Sequence, residues 1–249
     1  MEPAMYERVF SLQSTHWWYF SRMRFLDVLL RNIPKRGSVL DVGCGPGSML
    51  HYLGRYGEVT GVDSYPPALE MARTHFSGKL LEGDCTHLPF SDGEFSLVAA
   101  FEVLYHKNIA DVQNAVNECA RVLKPGGHFV VVDSAYSACF SAHDRAAHGA
   151  RRFDKEALVE TLELAGFEII HSTYAYSLLL PIVWLVRRLK ELFKVEEAPG
   201  AEVSKTWKPL NSLVILWFAL EAQIAGRFGL PFGLSVEILG RKRQLKDER

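Results

Sequence analysis

Short apolar runs alternate with helix-length amphipathic stretches from Ser38 to about Ser134. "SVLDVG" (38–43), which is β-rich and bounded by glycine, "EVTGVD" (58–63), "KLLEGD" (79–84), the buried "FSLVAAFEV" (95–103) and "HFVVVD" (128–133) are short apolar runs that predict five strands. Between them, "GSMLHYLGRY" (47–56), "PPALEMARTHF" (66–76) and "IADVQNAVNECARVL" (109–123) repeat apolar residues at helical spacing. The second of these helices starts on prolines, and the third stops at "KPGG". Strands alternating with helices imply right-handed βαβ units and a parallel sheet.

Beyond Ser134 the pattern loosens. "DKEALVETLELAGF" (154–167) predicts a helix with Asp154 at its N-cap and Gly166 at its C-terminal cap, followed by a strand in "EIIHSTYAYS". Two strongly apolar helices are expected over 178–193 and 210–228, joined by a loop over 194–209. "LSVEILGRK" (234–242) predicts the last strand, ahead of a charged tail. At the other end, "STHWWYFSRMRF" sets Trp17, Trp18, Tyr19 and Phe20 in a row. Helical neighbours stand about 100° apart, so these four cover most of a helix circumference. Trp18, Phe25 and Leu29 would share the side packed on the sheet. Trp17, Tyr19 and Phe20 would then turn toward an acceptor pocket or the C-terminal helices. A lid over a cleft and a staple between the two ends of the chain are both open readings.

The chain has 249 residues, 48% of them hydrophobic, enough for one large domain with an elaboration. Its net charge of -1 argues against a dedicated nucleic-acid binder. The four cysteines, Cys44, Cys85, Cys119 and Cys139, form no CxxC pair, so no metal site is expected and free thiols in a reducing cytoplasm are the simplest reading. "MEPAMYERVF" has no secretory h-region. The longest uncharged run, 169–186, is interrupted by polar residues and Pro181, and its apolar half is too short to cross a bilayer.

Candidate chemistry begins at "VLDVGCGPG". Gly43, Gly45 and Gly47 fall at the turn from the first strand, where an open α/β sheet has its ligand crevice and where glycine lets backbone N–H groups approach a ligand. Asp63 ends the second strand, placed to accept from ribose hydroxyls. A dinucleotide fingerprint would read GxGxxG, but this loop reads GxGxG with Pro46 inside it. Asp41, two residues before the first glycine, suits a cationic amino-acid group better than a pyrophosphate. Asp84, after the third strand, can accept from an adenine amino group.

Together "VLDVGCGPG", "GVDSYPPALEMAR", "EGDCTHLPFSDGEFSLV" and "ARVLKPGG" resemble successive motifs of class I S-adenosylmethionine-dependent methyltransferases, of the type that includes ubiquinone-biosynthesis enzymes, over roughly residues 36–134. The resemblance implies a Rossmann-like seven-stranded sheet, mostly parallel with an antiparallel last strand. N-terminal helices and a helical C-terminal insertion would be added to it. It divides the chain into an N-terminal lid (1–35), the core (36–176), a helical cover (177–233) and a last strand with tail (234–249). The implied cofactor is S-adenosyl-L-methionine, with S-adenosyl-L-homocysteine as product. Asp41, Gly43 and Gly45 with Cys44 would contact its methionine part, and Asp63 with Ser64 the ribose. Asp84 and Cys85 would meet the adenine, and Phe101 and Glu102 would close the site. A binding protein that has lost catalysis and an NAD-dependent oxidoreductase are the competing readings, the latter disfavoured by the loop.

Both ends extend the likeness to a subset of that family. "HWWYFSRMR" is similar to its HWWF-like start, and "SACFSAHDRAAHGARRFDKEAL" (137–158) to its HD…RRY-like segment. Members of that subset are thought to modify glycans or lipid-linked sugars. His106, at the end of strand four, is a base, a substrate ligand or a packing residue. His143 with Asp144 forms a base and its partner, or else part of a solvated loop. Trp17, Tyr19, Phe20, Tyr105, His148, Arg151 and Arg152 complete the expected acceptor site, the arginines suiting a carboxylate or phosphate. The expected acceptor is a small or lipid/glycan-linked molecule methylated at oxygen, with no nucleic-acid partner. The 178–194 helix sets Arg187, Arg188, Lys190 and Lys194 beside Trp184, Leu185, Leu189 and Phe193. Such a helix suits a membrane surface, the sheet, or a second copy in a homodimer. A cytoplasmic protein, peripheral on the inner membrane surface in the first of these cases, is the corresponding location.

Overall fold

A computed structural model describes residues 16–193 and 208–244. The expected 194–209 loop and the start of the lid fall almost wholly outside the described residues, as do the last residues of the tail and the side chain of His143. The elements, in order, are α1 (Trp17–Leu29), β1 (Gly37–Val42), α2 (Leu50–Leu53), β2 (Gly57–Asp63), α3 (Pro66–Arg73), β3 (Lys79–Glu82), β4 (Phe95–Phe101), α4 (Val112–Val122) and β5 (Leu123–Ser134). A short α5 (Ala142–Ala146), α6 (Lys155–Leu164), β6 (Phe167–Ala175), α7 (Leu179–Leu192), α8 (Lys208–Phe228) and β7 (Ser235–Lys242) follow.

The seven strands make one sheet in the order β3-β2-β1-β4-β5-β7-β6. The pairs from β3 to β5 are parallel, and β7 runs antiparallel to both β5 and β6. Period-two alternation sorts the side chains between two cores. Val98 and Ala100 of β4, with Phe129 and Val131 of β5, face α4 and α6 through Ala115, Val116, Leu158 and Leu162. Leu97, Ala99, Val130 and Val132 face the other way, against Leu26 and Leu29 of α1, its C-cap residue Leu30, and Leu50 and Leu53 of α2. Burying such a side chain contributes about 1.5–3 kcal/mol, so the two cores account for the fold's rigidity beneath the ligand crevice.

A third core joins the two ends of the chain. Phe25 and Val28 of α1 pack with Tyr176 and with Phe218, Ala222 and Ala225 of α8. Trp17 stacks on Phe218 with ring centroids 5.6 Å apart, and its backbone N–H donates to Asn211 Oδ1 at 2.9 Å. A Cβ on Gly226 would fall 2.0 Å from Val28 Cγ1, so glycine is what lets α8 approach α1 this closely. Phe25 and Trp18 therefore do not pack on the sheet as their spacing predicts; Leu29 does, beside Leu26 and Leu30. The expected 47–56 helix shrinks to four residues, because the glycine loop needs its own turns before Leu50. "KPGG" is drawn into the long β5 rather than ending as a free turn. Asp154 holds the N-cap position of α6 but makes no side-chain cap bond, and Gly166, at φ +89°, follows the C-cap residue Ala165.

Candidate active site

The carboxyl ends of β1, β2 and β4 open into a cavity of about 900 Å³, roofed by α1 and α7. That is the upper end of the range for a small-molecule site, large enough for a cofactor and an acceptor side by side. Gly43, Gly45 and Gly47 have φ of +65°, +52° and +84°. At Gly43 a Cβ would also lie 2.6 Å from Val103 Cγ2, so the loop needs glycine there for both reasons. The Gly45 N–H donates to Asp63 Oδ2 at 2.8 Å, and the Tyr65 N–H to Oδ1 at 2.9 Å. These bonds hold the Asp63 carboxylate at the cavity wall, with each oxygen keeping a second lone pair.

Asp41 is 2% exposed and has no hydrogen-bond partner among the described residues. Burial, with Asp63 nearby, pushes its carboxyl up to about 8 against the pull of the Arg22 guanidinium. Asp63 is raised in the same direction by burial. An unbonded buried carboxyl beside a second acid costs free energy unless something supplies a donor or a positive charge. Asp84 stands at the rim, its Oδ1 accepting from the Thr86 N–H and hydroxyl at 2.8 Å each. Ser64 lines the cavity beside Asp63. Cys44 and Cys85 line it as neutral thiols, the latter pushed up to about 12 by burial.

The middle of the cavity is closed by a residue that sequence reasoning passed over. Arg22 of α1 lies over the Trp18 ring, 3.9 Å from its centroid, and its Nη2 donates to Glu102 Oε1 at 2.8 Å. Glu102 follows Phe101 at the end of β4 with φ +58°, and its other oxygen accepts from the Ser134 hydroxyl at 3.0 Å. The ion pair spans 80 residues of sequence and ties α1 to the sheet edge. A signal was present: Trp18 and Arg22 are one helical turn apart within the motif that carries the terminal likeness. Tyr176, Leu179, Ile182, Val183 and Val186 add an apolar wall that was likewise not foreseen.

On the acceptor side Tyr105, His106 and His148 all face the cavity, the two imidazole centroids 5.8 Å apart. His106 Nδ1 accepts from the Asn108 N–H at 3.2 Å, which leaves the ring proton on Nε2. Burial, aided by His148 and Lys107, lowers His106 to about 4. Its ring is neutral at pH 7, with Nε2–H turned to donate.

Asp144 is engaged by Arg152 and Ser141. It is 3% exposed and its Oδ1 accepts from Arg152 at 2.8 and 2.7 Å, while Oδ2 accepts from the Ser141 N–H at 2.7 Å. Arg152 donates its remaining reach to the Ala135 carbonyl at 3.0 Å, so it reaches the cavity wall with its donors committed to the protein. The pair latches the 141–152 segment instead of binding an acceptor anion. Arg151 and Phe20 do not line the cavity; Phe20 points outward at 38% exposure, whereas Trp17 and Tyr19 do line it.

Residues 40–131 match the family described as "Methyltransferase domain". Over 120 residues the chain is 38% identical to the demethylmenaquinone methyltransferase of Thermus thermophilus, covering 45% of this chain and 53% of that one. Over 99 residues it is 38% identical to the ubiquinone biosynthesis O-methyltransferase of Alkalilimnicola ehrlichii, covering 37% and 39%. The chain thus spans about half the length, or less, of the curated relatives it matches. The fold is shared with Haemonchus contortus phosphoethanolamine N-methyltransferase 2, solved in complex with S-adenosyl-L-methionine. There the TM-score is 0.57 at 18% identity, covering 88% of this chain and 52% of that one. Residues 40–131 are thus similar to methyltransferase domains, and the fold is that of a solved S-adenosylmethionine-binding methyltransferase. Within that class its likeness is to the ubiquinone-biosynthesis type.

Proposed function

We propose that the protein transfers a methyl group from S-adenosylmethionine to an oxygen on an acceptor with an apolar body. The observation that carries the reading is Asp41, buried and unbonded at the cavity wall beside the loop-held Asp63. A cationic amino-acid group answers that demand and a pyrophosphate does not. The loop also leads into a four-residue helix, with no long helix N-terminus to receive a pyrophosphate, which speaks against a dinucleotide.

When bound, the cofactor supplies an electrophilic methyl on a sulfonium. Asp41 would hold its ammonium, Asp63 its ribose hydroxyls and Asp84 its adenine end. Trp18, Tyr19 and the Arg22–Glu102 pair cover the centre and exclude water, the protein's main contribution to an in-line displacement. His106 Nε2–H orients the acceptor oxygen, and His148 is the neighbouring imidazole placed to take its proton. The apolar wall from α7 and the quinone-related names of the relatives support a hydroxylated ring carrying a prenyl-type chain. The test is release of S-adenosylhomocysteine by the full chain from S-adenosylmethionine and prenylated hydroquinones of increasing chain length. No release with any of them, despite cofactor binding, would return the protein to a binding role; failure to bind the cofactor would remove the reading altogether.

A further inference from the structure

All the exposed large apolar side chains among the described residues, except Phe20, Leu164 and Ile170, lie between Leu178 and Phe232. Leu185 and Trp184 of α7 are 52% and 44% exposed, and Leu216 and Trp217 of α8 are 60% and 48% exposed. A soluble surface scatters such residues singly; a concentrated patch marks a covered face. α7 is anchored on one side, where Arg187 donates to the Cys139 carbonyl and lies 3.9 Å from Asp144. Ile182 and Val186 are both solvent-exposed and part of the cavity wall, so the cavity mouth opens onto this patch.

Charge decides what covers it. Among the described side chains of the two helices, the exposed charges are Arg188 and Arg227; Arg187 is engaged by the Cys139 carbonyl and Asp144, and Glu221 is buried with its carboxylate accepting from the Ser177 N–H at 2.7 Å. A second copy docked face to face would oppose like charges and stop the cavity mouth. No helix among the described residues is long and apolar enough to cross a membrane. A face of apolar and indole side chains rimmed by guanidiniums fits the headgroup–acyl boundary of a bilayer with anionic lipid.

We propose that α7 and α8 dock the protein on an anionic bilayer surface, with the cavity mouth held against the acyl region. Docking stands apart from the methyltransferase reading; the corollary that an acceptor's apolar chain enters from the bilayer rests on it. The test is flotation of the full chain with vesicles of phosphatidylcholine alone or mixed with phosphatidylglycerol. Flotation with the anionic vesicles is expected, weakening as salt is raised. Arg188→Ala should lower partitioning about fivefold, the share of one basic residue near the surface. Leu185→Glu/Leu216→Glu should abolish it, while S-adenosylhomocysteine binding and the circular dichroism spectrum stay unchanged; neither residue lines the cavity. Protein left in the soluble fraction with both vesicles would overturn the proposal. So would flotation insensitive to the double substitution, or a concentration-dependent dimer that the same substitution breaks. None of these readouts depends on turnover, so the docking surface and the reaction fail separately.

Discussion

The assignment of Asp41 to the cofactor's ammonium predicts that cofactor binding is a proton-coupled event. In the free protein the pKa of Asp41 is raised to about 8 by burial first and by Asp63 second. At pH 6.5 such a group is about 97% protonated, whereas the α-ammonium of the cofactor, with a reference pKa near 8, carries its charge. A positive charge brought within about 4–6 Å favours the ionised carboxylate and lowers its pKa by about 1–3 units. Binding at pH 6.5 should therefore expel a large fraction of one proton, about three quarters for a two-unit fall and nearly all for three. Affinity should rise with pH from about 5.5 to 7.5, by up to tenfold per unit, until the ammonium itself begins to titrate. Titration calorimetry in buffers of different ionisation enthalpy reads the proton count directly. S-adenosylhomocysteine should release as much as S-adenosylmethionine, because it keeps the ammonium and lacks only the sulfonium charge. Asp41→Asn preserves shape and removes the titration; the release should vanish and affinity fall about 10- to 150-fold, the worth of a hydrogen bond to a charged group. Binding with no buffer dependence, and with pH-independent affinity below pH 7, would refute the assignment of Asp41 to the ammonium.

Further outcomes follow from the same geometry. Asp144→Ala leaves Arg152 buried without its partner and should cost about 3–5 kcal/mol in denaturant unfolding; a stable variant that simply loses turnover would reinstate Asp144 as a catalytic partner. Gly43→Ala must adopt the left-handed region at about 1–2 kcal/mol and push into Val103, so both melting temperature and cofactor affinity should drop. Glu237, buried on β7, is raised to about 8 by burial. Its protonated form stabilises the fold fully below the unfolded carboxyl range, and that contribution is lost as pH climbs toward 8. The free protein should thus melt lower at pH 8 than at pH 5, and Glu237→Gln should flatten the slope by up to about 1.4 kcal/mol per pH unit. His148→Ala should lower kcat while leaving the calorimetric affinity for the cofactor intact; unchanged kcat would exclude it as proton acceptor.

The sheet was legible because its signals are local. Each strand of the 38–134 region announces itself by a short apolar run, β-branched in most of them, and each cofactor-side carboxylate sits within two residues of a strand end or a glycine turn. What escaped depends on contacts far apart in sequence. Arg22 meets Glu102 across 80 residues; the Trp18/Arg22 spacing marks the arginine, but nothing local names its partner. The side of α1 that faces the sheet was misjudged for a related reason. Its spacing allowed Phe25 to face the strands, but Phe218 and Tyr176 compete for it and win, leaving the sheet to the slimmer Leu26 and Leu30. The Asp144–Arg152 pair escaped as well: a planar guanidinium eight residues on offers two donors to one carboxylate.

The division of the chain also separates two kinds of specificity. Every carboxylate proposed for the cofactor lies between Asp41 and Asp84, inside the segment that matches the methyltransferase-domain family. The roof is built from outside that segment: Trp17, Trp18 and Arg22 precede it, and Tyr176, Ile182 and Val186 follow it. Cofactor binding can thus be common to many such chains while the acceptor is chosen by the roof. The aromatic run of α1 does both jobs at once. Trp17 and Phe25 are spent on α8, joining the two halves of the roof, and Trp18 and Tyr19 face the cavity beneath. Loosening α1 from α8 should therefore alter acceptor preference before it alters cofactor affinity, because Asp41 and Asp63 are held by the sheet and its loop and not by the roof.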